Sequence, residues 1–94
     1  MAEDMNPSRM FIKNARYLAR IRGLQISEIE DYLGKSKGYL ANVYTSGRSL
    51  KLHECVELAM FLQAPLQDMV YHDLKKVTAD HGFELKWEQG RWTR

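Results

Sequence analysis

The sequence predicts an all-α fold of five helices, closed by a short C-terminal β-hairpin or strand tail. Three observations predict it. Apolar residues recur at intervals of three and four through most of the 94 residues, the spacing that lines one face of a helix. Most of the six glycines and both prolines fall at the ends of those periodic stretches, where they punctuate rather than interrupt. Past Gly82 the period changes to two, as Phe83, Leu85 and Trp87 alternate with Glu84, Lys86 and Glu88. The length allows one core of this size and not a second. A division at residue 78 separates a helical domain (1–78) from the tail (79–94).

In chain order, residues 1–5 have nothing to anchor them and are expected to fray. Asn6 and Pro7 read as the cap and first residue of helix one, because proline loses no hydrogen bond there. Phe11, Ala15 and Leu18 form its buried stripe, and Gly23 stops it after Arg22. Helix two starts at Gln25 or at Ser27. Ser27 with Glu30 fits a capping box, whereas a start at Gln25 places Leu24 and Ile29 as a hydrophobic staple. Gln25 is preferred, since it keeps Ile29 and Leu33 on the core side.

Gly34 ends helix two, Ser36 offers a cap to the next, and Leu40 and Val43 repeat at helical spacing. Only a short turn fits between Leu33 and Leu40, which is the helix-turn-helix pattern. With Leu40 and Val43 inward, Lys37, Gly38, Ala41 and Asn42 face outward. After helix three (about 36–45), residues 45–49 read as a loop whose amides, with Arg48 and Lys51, are placed to grip a phosphate backbone. Leu52, Cys55, Val56, Ala59 and Leu62 read as the inward face of helix four, with Met60 and Phe61 adding bulk. Pro65 closes it. Leu66, Met69, Val70 and Leu74 start a fifth helix, with His72 and Asp73 on its polar side.

Net charge is only +2, but its distribution is uneven. From Arg9 to Lys51 there are nine basic residues against three acids, a local balance of +6; the remainder carries −4. A basic half holding the two-helix unit is the electrostatic footprint of a nucleic-acid binder. An apolar content of 45% excludes disorder. No apolar run approaches the roughly 20 residues that cross a bilayer, and the first residues lack a signal-peptide pattern, so the expectation is a cytoplasmic protein with no membrane partner. His53, His72, His81 and Cys55 share no zinc-site spacing, and no nucleophile elbow or phosphate loop occurs. The expectation is therefore a protein that is not an enzyme and uses no metal or cofactor.

In the tail, Gln89-Gly90 reads as a two-residue turn that sets Trp92 opposite Trp87. So small a hairpin needs support, either from its own helical core or from a second chain. Phe83, Leu85, Trp87 and Trp92 exceed what docking needs, and a homodimer through this tail is preferred.

Assembled, the chain resembles the Cro and phage-repressor (XRE-type) helix-turn-helix family over roughly Phe11 to Val70. The matching pieces are Gly23-Leu24, Glu28-Ile29, Leu33-Gly34, Ser36-Lys37-Gly38-Tyr39-Leu40, Leu52 with Leu58-Ala59 and Leu62, and Leu66 to Val70. The resemblance implies a five-helix lambda-repressor-like domain, acting as a sequence-specific transcriptional regulator that binds double-stranded DNA as a two-fold dimer. It implies base contacts from Lys37, Gly38 and Asn42, and phosphate contacts near Ser36, Tyr39 and Thr45; Gln25, at the start of helix two, joins the DNA-facing set with Arg48 and Lys51. Gly38 brings no side chain, so reading falls to Lys37, Asn42 and DNA shape. The alternative is a helix-turn-helix module that binds a protein partner, as an antitoxin or antirepressor does.

Overall fold

The computed structural model describes residues 6–93; the fraying expected of residues 1–5 lies outside them. The described residues form six helices and one two-stranded antiparallel sheet: α1 (Pro7–Arg22), α2 (Ile26–Tyr32), α3 (Tyr39–Ser46), α4 (Leu52–Leu62), α5 (Leu66–Tyr71), α6 (Leu74–Asp80), β1 (Lys86–Glu88) and β2 (Arg91–Thr93).

Helix α1 is the centre of the packing, in contact with α3, α4, α5, α6 and β1. Its N-terminus is capped as the sequence predicts, with the Asn6 side chain accepting the Arg9 amide at 2.8 Å. Its end falls at Gly23, whose φ of 75° a residue with a side chain takes only under strain. Phe11, Ile12, Ala15, Leu18 and Ala19 are buried on its inner face, against Ile29, Leu40, Val43, Leu58, Leu62 and Met69. Helix α2 starts after Gln25, whose amide donates to Glu28 at 2.6 Å, so the Gln25 start holds and Ser27 is not the cap.

Six helices stand where five were expected because the last one breaks. Asn14, buried in α1, donates to the carbonyls of Met69 (2.7 Å) and His72 (2.6 Å) and accepts the Leu74 amide (3.0 Å). One side chain thus satisfies three backbone groups that the break leaves open. Asp73 then caps α6 through the Lys76 amide, so His72 and Asp73 are the break itself and not the polar side of one helix.

Helix α4 differs from expectation on one side. Cys55, Leu58, Ala59 and Leu62 are buried, but Leu52 is 74% exposed, Val56 38% and Met60 71%. Successive residues turn by 100°, so positions 52, 56 and 60 fall side by side along one edge of the core face and turn outward from it.

The hairpin has the predicted register, Trp87 opposite Trp92. Gln89 and Gly90 both have positive φ (54° and 76°), as a primed two-residue turn requires. It leans on the helices of its own chain. The Trp92 indole donates to the Leu62 carbonyl at 2.7 Å, Leu85 and Trp92 pack on the core, and Arg22 lies 4.0 Å from the centre of the Trp87 ring. Among the described residues, no helix is long and apolar enough to cross a membrane.

Candidate nucleic-acid interface

Only two residues of α3 are buried, Leu40 and Val43, at 1% and 2% exposure. Tyr39 and Tyr44 pack beside them, half-buried, and polar anchors add to this apolar seat. Glu30 of α2, itself 1% exposed, accepts the amides of Gly38 (3.0 Å) and Leu40 (2.9 Å). That carboxylate caps α3 from outside, which corrects the assignment of Ser36 as the cap: the helix starts at Tyr39, and Ser36 and Lys37 belong to the turn before it. Gly38 sits at φ 92°, a left-handed conformation that explains a glycine at this position without any role in reading bases.

Glu54 of α4 is the second anchor. It accepts the Tyr39 hydroxyl at 3.0 and 3.1 Å, its own helix's Lys51 amide at 3.1 Å, and lies 3.4 Å from the Lys35 ammonium. Burial works to raise the Glu54 carboxyl, but the donors from Lys51, Tyr39 and Lys35 outweigh it and hold it below the ordinary glutamate range. Burial, followed by the hydrogen bond to Glu54 and its charge, pushes the Tyr39 hydroxyl up. Tyr39 is thereby turned inward, half-buried and committed to Glu54, and leaves the set of phosphate-facing residues.

The other residues expected to face DNA are exposed: Gln25, Ser36, Lys37, Gly38, Asn42, Thr45, Arg48 and Lys51, together with Ala41. Thr45 folds its hydroxyl back onto the carbonyls of Ala41 (3.0 Å) and Asn42 (3.3 Å), so its methyl group is what remains to offer outward. Helix α3 runs to Ser46, one residue past its expected end. One of the loop amides expected to grip phosphate, that of Arg48, is already bonded to the Ser46 hydroxyl (3.3 Å), and just past the loop the Leu50 amide meets the buried Ser8 hydroxyl (2.9 Å). The Arg48 side chain donates its Nε to the Ser46 hydroxyl at 3.1 Å, which holds its guanidinium beside the end of α3, and the Lys51 side chain is exposed.

The basic half of the chain sorts into two groups. Four of its nine cations serve the fold: Arg9 donates to the Tyr44 carbonyl at 2.9 Å, Lys13 pairs with Asp73 at 2.6 Å, Arg22 donates to the Phe61 carbonyl at 2.9 Å, and Lys35 meets Glu54. Arg16, Arg20, Lys37, Arg48 and Lys51 stay exposed. Arg16 and Arg20 line an open groove of about 710 Å³ that also reaches Gln25, Ile26 and Tyr44, so α1 carries charge up to the start of α2.

No family model, curated protein or solved structure matches the chain. Among the described residues, no group of three His, Cys, Asp or Glu side chains is close enough to hold a metal ion.

Glu54 was not singled out from the sequence, and Glu30 was named only as a capping-box partner of Ser27, though a signal for both was present. Glu30 falls four residues after Ile26 and one after Ile29, and Glu54 four before Leu58, so each carboxylate occupies a core position of an apolar stripe. A charge there is stable only where donors converge on it.

Proposed function

We propose that the chain is a sequence-specific DNA-binding transcriptional regulator of the Cro/repressor helix-turn-helix type, with a lambda-repressor-like helical domain that lays α3 in the major groove. The observation that carries the reading is the seat of α3. It is anchored through Leu40, Val43 and the backbone amides of Gly38 and Leu40, which leaves Lys37, Ala41, Asn42 and Thr45 exposed at one surface, flanked by Arg48 and Lys51. Asn42 suits adenine and Lys37 suits guanine, while Ala41 and the Thr45 methyl suit apolar contact with thymine. These outward groups are small, so the helix backbone approaches the bases closely. Arg16, Arg20, Arg48 and Lys51 supply phosphate contacts that position but do not specify.

Salt tests the reading. Affinity for duplex should fall on a log-log plot with slope near −0.9 per phosphate contact, and Arg48→Ala should flatten that slope by about one contact. Failure to bind any duplex at low salt would remove the proposal. A second reading, a helix-turn-helix module for a protein partner, draws on the exposed apolar side of α4, and a salt-insensitive complex would favour it.

A further inference from the structure

The groove that Arg16 and Arg20 line does not end at Arg20. A second hollow of about 810 Å³ carries it past α6 to Phe83 and Leu85, and Tyr17, Arg20 and Lys75 line both parts. Together they make one trough along α1, from the start of α2 to the residues that lead into the hairpin. Its cations are in surplus. Lys13 is paired with Asp73. Among the described residues, Arg16, Arg20, Lys75 and Lys86 meet no carboxylate at ion-pair distance, and Glu84 is the one other acid of the lining. All four cations are exposed, and between them lie half-buried apolar side chains, Ile21, Leu24, Ile26, Phe83 and Leu85.

We propose that this trough holds an acidic amphipathic helix of a partner protein, its apolar stripe on the half-buried residues and its carboxylates on Arg16, Arg20, Lys75 and Lys86. Charge complementarity sets the sign of the occupant. The mixed lining separates a peptide from a nucleic-acid strand. A strand brings a negative charge at every residue, which Asp73 and Glu84 oppose, whereas an acidic peptide spaces its carboxylates among apolar side chains and sets them at the cations alone. The polar groups of the lining favour a helix over an extended segment. Asn14 is spent on the backbone around the α5–α6 break, and Thr78 gives its one hydroxyl proton to the Lys75 carbonyl (3.1 Å), so Tyr17 donates to Thr78 (3.3 Å). With these taken, little remains for the main chain of an extended peptide, and a helix satisfies its own amides. Helix α1 borders the trough from Lys13 to Ile21, about 12 Å, which is about two turns of a helix laid beside it. Peptide binding does not depend on DNA. That the peptide excludes duplex rests on the DNA reading, because Arg16 and Arg20 cannot serve both.

The test is fluorescence anisotropy of the full chain with a labelled peptide of about 15 residues, Leu at helical spacing and Glu on both flanks, read first without DNA. The expected result is saturable binding that weakens with salt. Arg20→Glu and Lys75→Glu should each weaken it about tenfold with helicity unchanged. Lys76→Glu, the same charge change one residue away and outside the lining, should cost far less. A polyglutamate of equal length should bind several-fold more weakly, and oligo-thymidine no better than polyglutamate. The peptide should displace duplex from the parent, and displacement from Lys75→Glu should need about tenfold more of it. If the peptide binds and no duplex does, the DNA reading fails and this one holds. Absence of saturable peptide binding overturns the proposal. So do equal losses from Lys75→Glu and Lys76→Glu, polyglutamate binding as tight as that of the amphipathic peptide, or oligo-thymidine binding tighter than either. A duplex that stays bound to the peptide-saturated chain overturns the exclusion.

Discussion

Helix α3 and the C-terminal hairpin are both too short to stand alone, and they are anchored by opposite parts of the chain. The amides of Gly38 and Leu40 hold α3 to Glu30, and with Tyr39, Leu40, Val43 and Tyr44 turned to the protein, the helix keeps Ala41, Asn42 and Thr45 exposed. The hairpin is held by its side chains, the Trp92 indole on Leu62 and the Trp87 ring on Arg22. An element fixed by its backbone is free to present a surface. One fixed through its side chains serves as support.

The contrast can be broken from either end. Glu30→Ala should have the largest effect, about 3 kcal/mol in denaturant unfolding, because it strands two amides that now meet a charged acceptor. DNA affinity should fall with it. If stability stays within 0.5 kcal/mol or so of the parent, the usual scatter of a surface change, Glu30 does not seat α3.

Glu54→Gln should cost roughly 1–2 kcal/mol at neutral pH. Its dependence on acid gives the sharper test. Because the folded carboxyl is held below its unfolded value, its contribution is complete above the unfolded value near 4.3 and disappears as pH falls through the folded one. Parent and variant should therefore draw together as pH falls below the unfolded value. Tyr39 has the opposite sign: its raised hydroxyl contributes below its unfolded value near 10 and is lost above it. A difference between parent and Glu54→Gln that is constant from pH 7 to 3 would contradict the anchor.

On the hairpin, Trp92→Phe keeps the ring and removes the donor, and should lower stability by about 1–1.5 kcal/mol without changing DNA affinity. Gly38→Ala meets open space but a φ of 92°, so its cost is backbone strain alone, about 1 kcal/mol by equilibrium unfolding. The smallest effects belong to the presented surface: Lys37→Ala and Asn42→Ala should leave the thermal midpoint nearly unchanged.

Local chemistry made α1 and the hairpin legible. Asn6-Pro7 and Gly23 bound the helix by capping and φ preference alone, and the period of two with Gln89-Gly90 set Trp87 against Trp92. What was not legible depends on contacts across the fold. Ser36 was the nearest capping residue to α3, but Glu30 reaches the same amides from α2. The break at His72–Asp73 follows from Asn14, more than fifty residues away in sequence. All apolar residues of α4 read as inward because a sequence does not say how wide a core face is, and Leu52, Val56 and Met60 lie outside it. Of the candidate surface, exposure of Lys37 and Asn42 was readable from helical spacing and that of Arg48 from its loop composition, whereas the inward turn of Tyr39 needed the position of Glu54.

The central claim is that α3 reads bases with its outward side chains. Selection of bound duplexes from a random pool by the parent, Asn42→Ala, Lys37→Ala and Arg48→Ala tests it most directly. The expected result is one preferred sequence for the parent, loss of preference at one distinct base position for each of the first two variants, and uniformly weaker binding with the sequence unchanged for Arg48→Ala. Identical preferences in all four, or no preference in the parent, would contradict it.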